Sequence, residues 1–166
     1  MTATMPRWAA GRAIPLLVAA VSAGLLLGAY LSQHVGGLHP CPLCLIQRYP
    51  HFAVFGLGLA AAIVAGGRAR MGLLALCSLA LLVTCGYGVY HVGVEQGWFG
   101  SACAAPMSGG SIEDIRAQVM SAPLTRCDEV PWALIGVSLA GWNAIASVIM
   151  AAVAAFGAVR LWRAGT

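Results

Sequence analysis

Along the chain, apolar residues gather into long unbroken blocks separated by short polar stretches. Ala13 to Leu31 carries no charge, and neither does Met71 to Tyr90. Phe52 to Gly66 is shorter, but counting back through Ile46 and Leu45 gives a full-length block with Arg48 near one end. Trp132 to Val159 is longer than a crossing requires, so its first part, through Gly141 and Trp142, is expected to lie along an interface. A hydrocarbon core about 30 Å thick is crossed by roughly 20 helical residues rising 1.5 Å each. Backbone amides in lipid must bond within their own segment, so the blocks are helices. The pattern predicts an all-α membrane protein, a four-transmembrane-helix bundle with spans over 13–31, 45–66, 71–90 and 142–159, forming a single integral membrane domain over residues 1–166.

Composition agrees. Sixty per cent of the residues are hydrophobic and 8% are charged, against about 25% charged in a soluble domain. Too few charges remain to coat a surface facing water. The first block follows Arg7 and Arg12 as a signal peptide would, but signal h-regions run only about 7–15 residues. We read this longer run as an uncleaved anchor.

Arginine sets the orientation, because the chain has no lysine. Arg7, Arg12, Arg68, Arg70, Arg160 and Arg163 flank the predicted spans on one side. The other side holds Arg48, Arg116 and Arg126 together with Glu95, Glu113, Asp114, Asp128 and Glu129. The positive-inside rule therefore places both termini and the Arg68/Arg70 turn in the cytoplasm. Outer loops cover about 32–42 and 92–131, the second and longer one joining helices 3 and 4. The net charge of +4 reflects this topology, and no basic patch suggests nucleic acid. Within the long loop, Ile112, Ile115, Val119 and Met120 recur at helical spacing behind Ser111, Glu113 and Asp114, which suit a helix N-terminus. A short surface helix over 111–120 and a partly ordered loop are both compatible with this stretch.

Six cysteines divide along the same lines. Cys77 and Cys85 fall inside the third span, ~12 Å apart along a helix, too far for a disulfide, whose Cα atoms lie within about 7 Å. They read as packing residues. Cys41 and Cys44 belong to the first outer loop, Cys103 and Cys127 to the second, in a compartment where disulfides persist. Pro40 and Pro42 flank Cys41, and proline suits the first turn of a helix, so the Cys-Pro-Leu-Cys pair opens the second span. A thiol there feels the positive end of the helix dipole, which favours the thiolate. Arg48 lies one turn beyond Cys44 on the same face. It either snorkels to the headgroups or stabilises a thiolate or a reduced acceptor's oxygen in a low-dielectric pocket. Beside a C-x-x-C we favour the second.

Haem attachment needs histidine after the second cysteine, and position 45 is leucine. Zinc takes four ligands in most structural sites; His34 and His39 are near, but the apolar Leu43, Leu45 and Ile46 disfavour metal. The Cys103–Cys127 loop on its own could be a structural staple worth about 3 kcal/mol. A second, reactive pair on the same side suggests instead two pairs that exchange electrons.

The string Cys41-Pro-Leu-Cys44-Leu-Ile-Gln-Arg48 resembles the signature of the DsbB family, disulfide bond formation protein B. The order of features also fits: four spans, a cytoplasmic turn between the second and third, and a second outward cysteine pair before the last. The resemblance covers essentially the whole chain. It implies a quinone-dependent protein thiol oxidase of the bacterial inner membrane, using ubiquinone or menaquinone and working on a DsbA-like periplasmic thioredoxin-fold protein. By position, Cys103 would form the mixed disulfide with that partner and Cys127 would be its mate. Cys41 and Cys44 would receive the electrons, with Cys44 facing the quinone beside Arg48. His91 matches a position tied to the quinone pocket, although an interfacial anchor would look the same, and His51 is a weaker candidate. One position departs: family members often carry an acid before the arginine, and here it is Gln47, which cannot charge-pair with Arg48. We expect it to tune the site. Alternatives are a vitamin K epoxide reductase-like quinone–thiol enzyme, where the cysteine order is reversed, and a non-enzymatic membrane scaffold braced by disulfides.

Overall fold

A computed structural model describes residues 7–100, 111–121 and 125–165. The chain runs α1 (Arg7–His34), α2 (Pro42–Ile63), α3 (Gly67–Glu95), α4 (Ile112–Ser121), β1 (Ala133–Leu134), β2 (Val137–Ser138) and α5 (Leu139–Arg163). Among the described residues, three helices are long and apolar enough to cross a membrane: α1 from Gly11, α3 and α5. The outer turns of α2 carry Gln47, Arg48, Pro50 and His51, which dilute its apolar run.

The packing is inverted relative to a soluble bundle. Large side chains such as Leu27, Leu79, Val83, Ile149 and Phe156 point outward and are exposed, whereas Ser22, Thr84 and Ser147 are buried with the alanines. Small residues between helices and large ones outside suit a protein whose solvent is lipid. The central core gathers Val18, Val54, Leu74, Cys77, Leu81, Ala151 and Ala154 from α1, α2, α3 and α5. Close approach depends on glycine at two crossings. A Cβ on Gly58 would sit 2.9 Å from Ala19 Cβ, and one on Gly88 would sit 3.0 Å from Ala144 Cβ. The α3–α5 interface is the largest, α2 packs on both α1 and α3, and α1 barely touches α5.

Local chemistry explains the ends. Arg70 donates from Nε to Ala61 O at 3.0 Å and from Nη2 to Val64 O at 2.7 Å, satisfying carbonyls at the end of α2 and tightening the α2–α3 turn. Helix α4 forms behind a capping box. Ser111 Oγ accepts from Asp114 N at 3.2 Å, while Asp114 Oδ2 accepts from Ser111 N at 3.0 Å. Ser111 Oγ also donates to Asp114 Oδ2 at 2.9 Å, and this bond, helped by the Ser111 N–H, holds the exposed Asp114 carboxyl below its usual range.

The stretch expected to lie along an interface before the last span folds as a β-hairpin, with Ala133 paired to Ser138 and Leu134 to Val137. Its turn places Ile135 at φ 54° and Gly136 at φ 76°, the two left-handed positions of a type I′ turn. A β-branched residue there is strained. Ser138 then caps α5, its Oγ accepting from Gly141 N at 3.2 Å, so the helix begins at Leu139 rather than near Trp142.

Candidate active site

The site is built on the N-terminus of α2. Cys41 is the cap residue, with extended backbone (φ −75°, ψ 166°), and Pro42 opens the helix. Its sulfur takes the place of the usual capping oxygen and accepts from Cys44 N at 3.3 Å. The two sulfurs are in hydrogen-bond contact at 3.0 Å, and both cysteines are free thiols. His91 Nε2, from the outer end of α3, lies 3.5 Å from Cys41 Sγ. The hydrogen bond from the Cys44 side chain is the largest influence on Cys41; burial opposes it, and His91 and the Cys44 N–H reinforce it. Together they bring the Cys41 pKa down to about 4. Cys41 is thus the thiolate of the reduced pair, with Cys44 as its donor.

Arg48 is held by α1. Its Nη1 donates to Gln33 Oε1 at 2.8 Å, its Nη2 to Ala29 O at 3.5 Å, and its guanidinium carbon lies 4.9 Å from the centre of the Tyr30 ring. Beside it is a cavity of about 270 Å³ whose lining includes Cys44, Arg48, His51 and His91, with an apolar wall from Leu25, Leu26 and Ala29 of α1 and Leu139 and Trp142 on the α5 side. The cavity lies between α1 and α5, which meet far less closely than α3 and α5 do.

Cys44 is among the lining residues and Cys41 is not. Cys41 packs the other way, into a buried cluster with Leu43, Val94 and Cys127. Cys127 is fully buried and disulfide-bonded. Cys103 lies outside the described residues. The structure therefore brings Cys41, Cys44, Arg48, His91 and Cys127 to one end of the bundle. Cys77 lies in the central core and Cys85 is half-buried, both free.

The sequence reading missed a polar network behind the pair. Gln47 was expected to bear on Arg48; its side chain instead turns toward α3 and α5. Its Nε2 lies 3.2 Å from Leu43 O and 3.0 Å from His91 Nδ1, and its Oε1 accepts from Asn143 Nδ2 at 2.7 Å. Asn143 Nδ2 also donates to Thr84 Oγ1 at 3.2 Å, Thr84 Oγ1 donates to Gln47 O at 3.1 Å, and His51 Nε2 lies 2.8 Å from Asn143 Oδ1. Asn143 had a signal in the sequence: it is an amide within a predicted span, where polar residues are costly and carry function.

Comparison with known proteins bears on the same arrangement. The family model of disulfide bond formation protein DsbB matches residues 11–157. The chain belongs to the DsbB family. A disulfide bond formation protein B from Verminephrobacter eiseniae is 36% identical over 143 residues, covering 80% of this chain and 76% of that protein. One from Hahella chejuensis is 32% identical over 166 residues, covering 94% of this chain and 98% of the relative. Another, from Marinobacter nauticus, is 35% identical over 151 residues. No solved structure matches. Membership of the DsbB family, with the apolar helices, carries disulfide bond formation at a membrane.

Proposed function

We propose that this protein is a quinone-dependent thiol oxidase that reoxidises a periplasmic DsbA-like dithiol oxidase of thioredoxin fold and passes the electrons to a membrane quinone. In this reading α2 crosses the bilayer with α1, α3 and α5, both termini are cytoplasmic, and the cysteine pairs face the periplasm from the bacterial inner membrane. The observation that carries it is the placement of the C-x-x-C pair between two other features. Cys41 shares a buried cluster with Cys127, and Cys44 faces the cavity.

Each step moves two electrons and two protons. A partner thiolate attacks Cys103 of a Cys103–Cys127 disulfide and leaves as the partner's own disulfide, so the loop cysteines become a dithiol. Cys127 then attacks Cys41 of the Cys41–Cys44 disulfide. Cys103 closes on Cys127 and the C-x-x-C pair becomes the dithiol. A bound quinone accepts the two electrons and two protons as Cys41 and Cys44 rejoin.

The residues suit a quinone. Small-molecule sites are roughly 300–1,000 Å³, and a cavity of about 270 Å³ with an apolar wall from α1 would suit a quinone ring. Arg48 supplies a fixed positive charge beside Cys44, and its bonds to Gln33 and Ala29 keep it from swinging away. The test uses purified protein, quinone and a reduced DsbA-like protein. Partner oxidation should follow quinone consumption one for one, and Cys44→Ser should drop the rate to background. An unchanged rate in that variant overturns the scheme.

A further inference from the structure

Gln47 bonds to three neighbours in the site, Leu43, His91 and Asn143. Leu43 O is a carbonyl and can only accept, so the Gln47 atom facing it at 3.2 Å is the amide nitrogen. The same nitrogen, with its second hydrogen, faces His91 Nδ1 at 3.0 Å. Nδ1 must therefore present a lone pair, and the neutral ring carries its proton on Nε2. The rest of the network agrees with this orientation: Gln47 Oε1 accepts from Asn143, whose own oxygen is left to accept from His51. On the far side of the ring, Nε2 faces the Cys41 sulfur at 3.5 Å and Glu95 Oε1 at 3.9 Å. Both are acceptors. The Cys127 backbone also hydrogen-bonds His91.

We propose that Gln47 is a positioning residue that locks His91 as the Nε2–H tautomer, so that the imidazole donates to the Cys41 sulfur and favours it as the thiolate of the reduced pair. This rests on the proposed redox cycling of Cys41 and Cys44. The lock has a second consequence. Cys41, Cys44 and His91 present ligand atoms within 4.8 Å of one another, a donor set that suits thiophilic cations. With Nε2 protonated, the ring has no lone pair to offer a metal there, so Gln47 keeps the pair available for exchange. Among the described residues, the charged or titratable groups that face Cys41 and His91 are Cys44 on α2 and Glu95 on α3, with Arg48 and His51 lining the same cavity as Cys44 and His91.

The test is ¹⁵N NMR of His91 in the reduced, full-length protein, together with the pH profile of Cys41 alkylation. The wild-type ring should show a bare Nδ1 and a protonated Nε2. Gln47→Leu should mix the tautomers and move the midpoint of Cys41 alkylation upward by about one pH unit, the scale of one hydrogen bond to a charged group. Gln47→Glu should draw a proton to Nδ1 and give the profile a second inflection from His91. A wild-type ring protonated on Nδ1 overturns the proposal, and so does a Gln47→Leu protein with unchanged tautomer and profile. If that variant does not fold, the wild-type spectrum alone decides. Quinone turnover is read separately: a protein with the expected tautomer that reduces no quinone overturns the oxidase reading and leaves the lock standing.

Discussion

At Cys41, one sulfur collects the helix N-terminus, the Cys44 N–H, the Cys44 thiol and His91 Nε2. A thiol ordinarily ionises near pH ~8.5, and here it ionises near pH 4. The sign follows directly. A lowered folded-state value stabilises the reduced, folded protein above the ordinary value, and that gain is lost as pH falls toward about 4. Stabilising the dithiol makes the pair more oxidising, as the proposed role requires. Iodoacetamide labelling of Cys41 in the reduced protein should therefore continue well below neutral pH. Its midpoint should lie near 4 in the wild type and higher in His91→Ala. A wild-type midpoint between 8 and 9 would show that the donors do not converge on this sulfur. The pair itself was legible because its motif is local. The partners of Gln47 were not legible, because Leu43, His91 and Asn143 lie on a different face of the helix from Arg48, its neighbour in sequence.

Among the helices, two glycines with the same sequence character have opposite jobs. Gly88 of α3 lies against Ala140 and Ala144 of α5, while Gly28 of α1 lines the cavity with nothing within 4 Å of an added Cβ. Gly88→Leu should push apart the largest helix interface, and overpacking of this kind costs about 1–3 kcal/mol. Its thermal unfolding in detergent should come earlier. Gly28→Leu should leave unfolding unchanged and instead fill the cavity, raising the quinone concentration needed for half-maximal turnover by about tenfold, an order set by the 1.4 kcal/mol that a tenfold change represents. Equal unfolding temperatures for Gly88→Leu and wild type, or unaltered quinone dependence in Gly28→Leu, would contradict this division. Helix α2 shows why apolar length alone undercounts. The residues that make the site, Gln47, Arg48 and His51, are the ones that interrupt its hydrophobic run.

For the whole molecule, the arginine distribution makes a topological prediction. A membrane-impermeant thiol reagent added to spheroplasts should label Cys41 and Cys44 from the outside once the chain is reduced, and tags at both termini should be protected. External access to either terminus would refute the orientation. In cells depleted of quinone, the same cysteines should accumulate as thiols, whereas the disulfides of a scaffold would stay closed. Apolar blocks, arginine asymmetry and cysteine spacing could be read from the chain because each depends on neighbours in sequence or on which side of a bilayer a segment lies. The buried cluster that holds Cys41 and Cys127, the grip of Gln33 on Arg48 and the Gln47–His91–Asn143 network join residues far apart along it. Helix crossing and rotation bring those residues together, and no periodicity encodes which polar side chain will meet which across a packed interface.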